Sequence, residues 1–212
     1  MGNLTDLTPK PMLPLLGRNL IEHKLDALPV GITEVVIITG YLENVIKDFF
    51  GSSYNGRRIK YAHQPILNGT GPALWRAQDL LGDRFVVLNG DDIYASKDIE
   101  DGLKHDWAIL AQRVEEETLG AKIEFRPDGR LAAIVEGVPL KSGDLFNAGM
   151  YVLSRDIFNY DLVKLPGREE WGLPQTIMQA VNDRPIGIVE ATNWLPITCP
   201  ADLEKAANFL RG

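Results

Sequence analysis

The first half of the chain alternates short β-branched runs with amphipathic stretches, a rhythm typical of parallel strands joined by crossover helices. Runs such as VVII and FVVL are apolar at consecutive positions, as expected of central strands that helices cover on both faces. The pattern therefore predicts an α/β fold. The predicted strands are 34–39, 58–63 and 84–88, and the predicted helices are 20–28, 42–50 and 71–81.

The pattern changes after residue 105, where strand-like segments follow one another with little helix between them. Pro127, Asp128 and Gly129 form a strong turn signal in this region. We expect residues 1–212 to form one domain, with an α/β half over 1–105 and a β-rich half over 106–212. The predicted elements of the second half are strands 107–114, 121–126, 131–136, 146–153 and 186–191, and helices 173–182 and 200–210.

The α/β half opens with a loop and a helix, without the strand that would normally precede such a loop. A sheet built from these elements would lack a member. We therefore expect either that the sheet begins at residue 34 or that a strand is absent upstream.

Composition and charge exclude several classes of function. With 45% hydrophobic and 24% charged residues, the chain has the composition of an ordinary globular protein. A net charge of -7 and a pI near 5.0 are the opposite of a nucleic-acid binder's basic footprint. No export signal and no apolar run of roughly 18 residues is visible, so no membrane partner is expected. The single cysteine, Cys199, cannot pair within the chain, which favours a reduced, cytoplasmic location.

Two segments carry charged residues at places where they could take part in ligand binding or catalysis. Lys10 lies in LTPKPMLP, where three prolines in six positions stiffen the loop and hold the cation in place. Asp91 and Asp92 follow the apolar run FVVLNG, at the end of a predicted strand where open α/β sheets bind ligands. Carboxylates there suit Mg²⁺. A solvated surface lysine and a turn with a helix cap are the alternatives, and these residues alone leave both open.

A third segment, Gln64 to Ala73, runs from a strand end into a helix through two glycines. Such a loop can bring backbone amides close to a planar ring or a phosphate. His63 and His105 have no second histidine or cysteine at ligand spacing, so we interpret both as structural or exposed. Because no G-x-S-x-G motif is present, a serine hydrolase is not indicated.

Taken together and in this order, five segments resemble those of the sugar-1-phosphate nucleotidyltransferase family, which includes glucose-1-phosphate thymidylyltransferases and N-acetylhexosamine-1-phosphate uridylyltransferases. The similarity spans nearly all 212 residues. It implies a Rossmann-like, GT-A-like fold: a mixed, mostly parallel sheet flanked by helices, with a smaller β-rich sugar-binding lobe. The segments are Leu7–Pro14 (family L-T-x-x-x-P-K-P-M-L-P), Gln64 with Gly69-Thr70 (Q-x-x-x-x-G-T-x-x-A), Gly90-Asp91 (G-D), Gly120–Glu136 (G-x-V, then E-K-P) and Phe146–Tyr151 (N-A-G-x-Y).

The resemblance also implies substrates and roles. A pyrimidine nucleoside triphosphate, UTP or dTTP, would react with a sugar-1-phosphate, whose oxygen attacks the α-phosphorus in line while pyrophosphate leaves. Lys10 would neutralise charge on the phosphates, and Asp91 would hold Mg²⁺. The remaining implied contacts are Gln64 and the Gly69–Thr70 backbone with the base, and Gly120, Glu136 and Asn147 with the sugar.

Three departures from the family pattern stand out. The family begins with an apolar strand and a phosphate-binding G-x-G-T-R loop, whereas this chain begins at Met1, just after that loop should end. We expect Met1 to correspond to an internal methionine of a longer protein, and the 212-residue form to be impaired. Pro196 stands where the family places a second metal-binding aspartate. Gly137 replaces a common sugar-phosphate lysine, and Lys141 is a nearby alternative.

The competing hypothesis is a non-catalytic paralogue that keeps a nucleotide- or sugar-binding pocket and acts as a regulatory subunit, as Pro196 and Gly137 suggest. A glycosyltransferase of related fold is less favoured, because Asn89-Gly90-Asp91 is not an Asp-x-Asp motif. The sequence leaves open which sugar is used, whether the base is uracil or thymine, and whether the chain forms a homo-oligomer.

Overall fold

The helices of the protein follow the expected order along the chain. A computed structural model describes residues 2–211, so the hypothesis about Met1 concerns a residue outside the described part. The predicted helices at 71–81 and 173–182 are shorter, because each passes into a 3₁₀ turn after residues 76 and 177. The helices are α1 (Leu20–Ala27), α2 (Glu43–Phe50), α3 (Thr70–Arg76), α4 (Ser96–Gly102), α5 (Leu173–Ile177) and α6 (Pro200–Arg211).

The strands match the hydrophobic pattern closely, and those at 34–39 and 84–88 have the predicted bounds. The short strands β7 and β15 lacked a sequence signal, because each is only three residues long. The strands are β1 (Pro14–Leu15), β2 (Arg18–Asn19), β3 (Glu34–Thr39), β4 (Ser53–Tyr54), β5 (Arg57–His63), β6 (Arg84–Leu88), β7 (Asp92–Tyr94), β8 (Ala108–Arg113), β9 (Thr118–Phe125), β10 (Leu131–Leu140), β11 (Leu145–Ser154), β12 (Val163–Lys164), β13 (Trp171–Gly172), β14 (Gly187–Glu190) and β15 (Trp194–Pro196).

The pairing of these strands confirms a mixed α/β architecture. One sheet has the order β3-β5-β4, and a larger one has the order β10-β9-β11-β8-β14, with β6 also paired to β11. Parallel ladders join β3 to β5 and β8 to β14. Antiparallel ladders outnumber them among the described strands, in contrast to the parallel majority that we expected. The main contributor is β11, which lies antiparallel to β6, β8 and β9; no helix separates β8, β9, β10 and β11 along the chain.

Within the described part of the chain, β3 and β6 are edge strands, since β3 pairs with β5 alone and β6 with β11 alone. Both strands nevertheless pack on one hydrophobic cluster, to which Val35, Ile37, Val86 and Leu88 contribute partly buried side chains. Central strands of such a sheet would be buried on both faces. Within residues 2–211, β3 and β6 therefore have no pairing with each other, although both border the same hydrophobic cluster.

Asp98 joins the two halves of the protein. Its carboxylate is fully buried at the start of α4 and accepts hydrogen bonds from Thr192 N at 3.0 Å, Thr192 Oγ1 at 2.6 Å and Asn193 N at 3.3 Å. These bonds fix the connection that leads into β15, which therefore reaches β7 in a defined register. Among residues 2–211, no helix has the length and apolar character needed to cross a membrane.

Candidate functional site

Lys10 and Asp91 form the centre of the candidate site. Lys10 Nζ donates to Asp91 Oδ2 at 2.6 Å, although 81 residues separate the two along the chain. The loop that carries Lys10 packs on the turn that carries Asp91, because a Cβ at Gly90 would lie 3.3 Å from the Pro11 ring. The side chains of Lys10 and Asp91 remain 27% and 36% exposed, so both are accessible to a ligand.

Asp92 faces the interior, on the opposite side of the chain from Asp91. Its Oδ2 atom accepts hydrogen bonds from Asn89 Nδ2 at 3.2 Å, the Tyr94 hydroxyl at 3.1 Å and Trp194 Nε1 at 3.2 Å. Burial raises the pKa of Asp92, the charge of Asp91 adds to that shift, and these hydrogen bonds oppose it. Asp92 therefore supports the turn from within, whereas Asp91 is the carboxylate that a ligand can reach.

Gln64 lies directly after β5 with its side chain 8% exposed. Its amide nitrogen donates to the Gly69 carbonyl at 3.1 Å and to Asn68 Oδ1 at 3.3 Å. A carbonyl oxygen can only accept hydrogen bonds, so the Gly69 contact fixes which end of the amide faces the loop. The opposite atom, Oε1, is the one left to accept a hydrogen bond from a ligand.

The Gly69–Thr70 turn is held by the second half of the protein. Gly69 has a φ of +113°, and a Cβ there would lie 2.3 Å from the Trp171 carbonyl oxygen, so glycine is required. Trp171 N donates to Asn68 O at 2.9 Å, and Leu173 N donates to Thr70 Oγ1 at 3.0 Å. The Thr70 hydroxyl thus anchors α5 instead of facing a ligand.

Asn147 is 7% exposed and bonded to the Tyr151 hydroxyl, with Nδ2 at 2.8 Å and Oδ1 at 3.1 Å from it. The segment around it packs on the Asp91 turn, since a Cβ at Gly149 would lie 2.0 Å from Asn89 Nδ2. Strand β11, which carries Asn147, is therefore in contact with the turn that carries Asp91. Its Asn147 Nδ2 atom carries a second hydrogen, which the Tyr151 contact does not use.

Gly120 and Glu136 lie on the neighbouring strands β9 and β10. A Cβ at Gly120 would lie 1.9 Å from the Phe146 ring, so only glycine lets that ring lie on the backbone. Glu136 is exposed, with Oε1 3.4 Å from Gln175 Nε2. Gly137 sits in a register shift between Val135 and Val138 with a φ of +68°, which explains glycine where the family has lysine.

These contacts form a closed ring of segments. Tyr41, which follows Gly40, donates its hydroxyl to Asp6 O at 2.8 Å and ties the end of β3 to the Lys10 loop. A Cβ at Gly40 would lie 3.1 Å from Gln64 O, which connects the same point to the Gln64 loop. A closed series of pairwise contacts therefore links the segments that carry the predicted site residues Lys10, Asp91, Asn147, Gly120, Glu136, Gly69, Thr70 and Gln64.

Lys24 is a site residue that the sequence analysis missed. It is 7% exposed on the inner face of α1 and donates from Nζ to Asp92 O at 2.9 Å. Burial lowers the pKa of Lys24 to about 8, while the charges of Asp92 and Asp91 oppose that shift. A lysine among Leu20, Ile21 and Leu25, at the spacing of a helix's buried face, was the available signal.

The lowered pKa of Lys24 predicts an unusual pH dependence of stability. Between about pH 8 and 10.5 the unfolded chain binds the proton more tightly than the folded one, so the free energy of unfolding rises with pH. The shift corresponds to a rise on the order of 3 kcal/mol. Urea unfolding of the wild type and the Lys24→Met variant across this range measures it, and curves that stay parallel would contradict the assignment.

Asp91 is the carboxylate that these residues offer to a metal ion. Pro196 pairs with Asp92 across β15 and β7 and brings no carboxylate to the site. Within residues 2–211 no cluster of three His, Cys, Asp or Glu side chains could hold a metal by itself. Mg²⁺ is commonly held by one or two carboxylates together with substrate phosphates and water. Asp91 would therefore supply one carboxylate to a Mg²⁺ ion whose remaining ligands come from elsewhere.

Comparison with known proteins places the chain among nucleotidyl transferases. The nucleotidyl transferase family model matches residues 1–211. A bifunctional GlmU protein of Methanocaldococcus jannaschii is 27% identical over 209 residues, covering 98% of this chain and 50% of the relative. The chain thus spans about half the length of the GlmU proteins it matches. AglF of Haloferax volcanii, named a UTP–glucose-1-phosphate uridylyltransferase, is 26% identical over 98% of this chain and 90% of its own.

Solved structures share the fold. The crystal structure of HddC from Yersinia pseudotuberculosis aligns with a TM-score of 0.69 at 20% identity, covering 98% of this chain and 92% of that one. A second HddC structure, complexed with GMP-PN, aligns with a TM-score of 0.66 over 95% of this chain and 90% of that one. At this identity the likeness establishes the Rossmann-like fold alone.

Proposed function

This chain belongs to the nucleotidyl transferase family, and we propose that it transfers a nucleotidyl group from UTP or dTTP to a sugar-1-phosphate, releasing pyrophosphate. The observation that carries the proposal is the 2.6 Å ion pair of Lys10 and Asp91. It joins two distant segments inside the ring that also includes Gln64. The uridylyltransferase name of AglF supports the same reaction class and base.

The chain's own residues would contribute positioning and charge. Lys10 lies on a stiff loop and would pair with phosphate oxygens when a nucleotide displaces it from Asp91. Asp91 would hold Mg²⁺, which when bound neutralises triphosphate charge. Phosphoryl-type transfer needs little covalent help, so fixed charges and alignment supply most of the rate.

The orientation of Gln64 supports the choice of base. With Nε2 held by Gly69, Oε1 can accept from the ring N–H of uracil or thymine, whereas cytosine and adenine present an acceptor at the corresponding position. Guanine also carries a ring N–H, and one HddC neighbour is complexed with GMP-PN. We therefore propose a pyrimidine base. Because guanine has the same ring N–H, GTP is the nucleotide whose binding should be compared with that of UTP.

Replacing Gln64 by Glu is expected to weaken UTP binding about 10- to 100-fold, because a carboxylate leaves the Gly69 carbonyl without its donor. Isothermal titration calorimetry measures the affinity. The matched control is Gln179→Glu, the same change at an exposed position of another segment. Equal affinities for UTP in Gln64→Glu and the control would remove Gln64 from the base site.

The sugar half of the proposal concerns residues 106–212, with residues 1–105 binding the nucleotide. Gly120, Glu136 and Asn147 would contact the sugar; the Phe146 ring lies on the backbone of Gly120, and Asn147 is bonded to Tyr151. We also propose a cytoplasmic location, because nucleoside triphosphates are made there.

A non-catalytic, nucleotide- or sugar-binding paralogue is the second candidate. Pro196 beside Asp92 favours it, since the position facing the Asp91 turn offers no second carboxylate. Pyrophosphate release, assayed with and without Mg²⁺ across UTP, dTTP, GTP, CTP and ATP and several sugar-1-phosphates, separates the two. Mg²⁺-dependent release with UTP or dTTP supports the transferase. Nucleotide binding without release from any pair, in a polypeptide that includes the phosphate loop, supports the paralogue.

A further inference from the structure

Lys24 is a buried lysine, and its burial requires a structural explanation. Long cationic side chains are rarely buried unless their charge is paired. On α1, Lys24 lies on the buried face with Leu20, Ile21 and Leu25, and its ammonium reaches the main chain of β7 at Asp92 O. The inner face of α1 thus brings one cation to the strand that starts directly after Asp91.

The ladder between β7 and β15 explains why Asp92 needs this donor. Ile197 N donates to Asp91 O at 3.2 Å and Ala95 N donates to Asn193 O at 3.1 Å. Hydrogen-bonded pairs alternate along an antiparallel ladder, so the Pro196–Asp92 pair between them is a non-hydrogen-bonded one. The Asp92 carbonyl therefore points away from β15, towards α1, where Lys24 supplies its hydrogen bond.

The two carbonyl contacts hold the two successive peptide groups on either side of the Asp92 Cα. β15 fixes the carbonyl of Asp91, and Lys24 fixes the carbonyl of Asp92. With these two peptide planes set, the Asp91 carboxylate projects towards Lys10 and the Asp92 carboxylate projects inwards. Lys24 also gives this turn a second cation beside Lys10, against the two carboxylates.

We propose that Lys24 is a positioning residue for nucleotidyl transfer: it acts through the Asp92 main chain to set Asp91 for a Mg²⁺-bearing triphosphate. This inference rests on the proposed function. Lys24 would not contact the reacting phosphorus and oxygen atoms of the substrates. Its removal therefore affects the turnover number more than the apparent affinity for the nucleotide.

The test uses Lys24→Met, which keeps length but removes the donor and the charge, and Lys24→Gln, which keeps a donor and removes only the charge. The matched control is Leu25→Ala, a destabilising change at the neighbouring buried position of α1. We expect Lys24→Met to lower kcat about 10- to 100-fold with KM for UTP changed less than threefold. The kcat of Lys24→Gln is expected to lie between the values of Lys24→Met and the wild type. Leu25→Ala is expected to keep kcat near the wild-type value at temperatures below its Tm.

Hydrogen exchange of the amides of residues 89–95 provides a readout that needs no substrate. We expect Lys24→Met to speed exchange there about tenfold while Leu25→Ala speeds it mainly within α1. Unchanged exchange at 89–95 in Lys24→Met would overturn the inference, as would losses of kcat in Lys24→Met and Leu25→Ala that simply follow their losses of stability. If a polypeptide that includes the phosphate loop releases no pyrophosphate with any substrate pair, the proposed function fails, and the exchange result alone decides whether Lys24 sets the turn.

Discussion

Replacing Asp91 by Asn is expected to lower the rate of pyrophosphate release about 10³-fold, because the amide keeps the shape of the side chain but removes the charge that would hold Mg²⁺. The Lys10–Asp91 pair is partly exposed, and such ion pairs contribute only about 0–1 kcal/mol to folding. The variant should therefore remain folded, so the loss reports on chemistry. A Mg²⁺-dependent pyrophosphate assay measures it.

The matched control for this prediction is Asp101→Asn. Asp101 is an acidic residue of α4 that pairs with Lys97 and Lys104, away from the ring of site residues. It should keep wild-type turnover. An Asp91→Asn protein that retains more than about a tenth of the activity, or a comparable loss in Asp101→Asn, would contradict the role of Asp91.

Extending residues 1–212 at the N terminus by an apolar strand and a G-x-G-T-R loop is expected to raise turnover by about 10⁴-fold or more. Each preorganised donor to a transition-state charge contributes about 10² to 10³, and such a loop supplies at least two. The structure offers a place for the strand, because β3 and β6 are unpaired with each other yet border the same hydrophobic cluster.

An extension that keeps the strand but replaces the loop's glycines and arginine with serine is the control. It should raise Tm by adding strand pairing without raising turnover to the same degree. Equal turnover of the 212-residue polypeptide and the fully extended one would contradict the proposal that the shorter form is impaired.

Much of the fold could be predicted because local pattern and tertiary structure agree. Segments 34–39 and 84–88 contain the continuous apolar runs VVII and FVVL, and both are strands with the predicted bounds. The helix predicted at 71–81 ends at Arg76 and passes into a 3₁₀ turn, where the Gln78 and Leu81 carbonyls accept hydrogen bonds from the distant Arg155 side chain. Antiparallel pairing of β11 likewise depends on long-range contacts that periodicity does not encode.

In the candidate site, too, local sequence pattern predicted some residues, whereas long-range contacts determine others. A charged residue after a stiff loop and an aspartate after a buried strand indicated Lys10 and Asp91, and the structure brings them into contact. Lys24 was missed because its partner is a main-chain carbonyl, which has no signature in sequence. The engagement of Thr70 by Leu173, 103 residues away, was unpredictable for the same reason.

A titration of isotope-labelled protein with UTP, followed by nuclear magnetic resonance with and without Mg²⁺, tests most directly whether Lys10, Gln64 and Asp91 surround one nucleotide site. We expect amide signals of the segments 7–13, 64–70 and 89–92 to shift together with a single Kd, and Mg²⁺ to tighten it. Shifts confined to one segment, or separate dissociation constants for the three, would contradict a shared site.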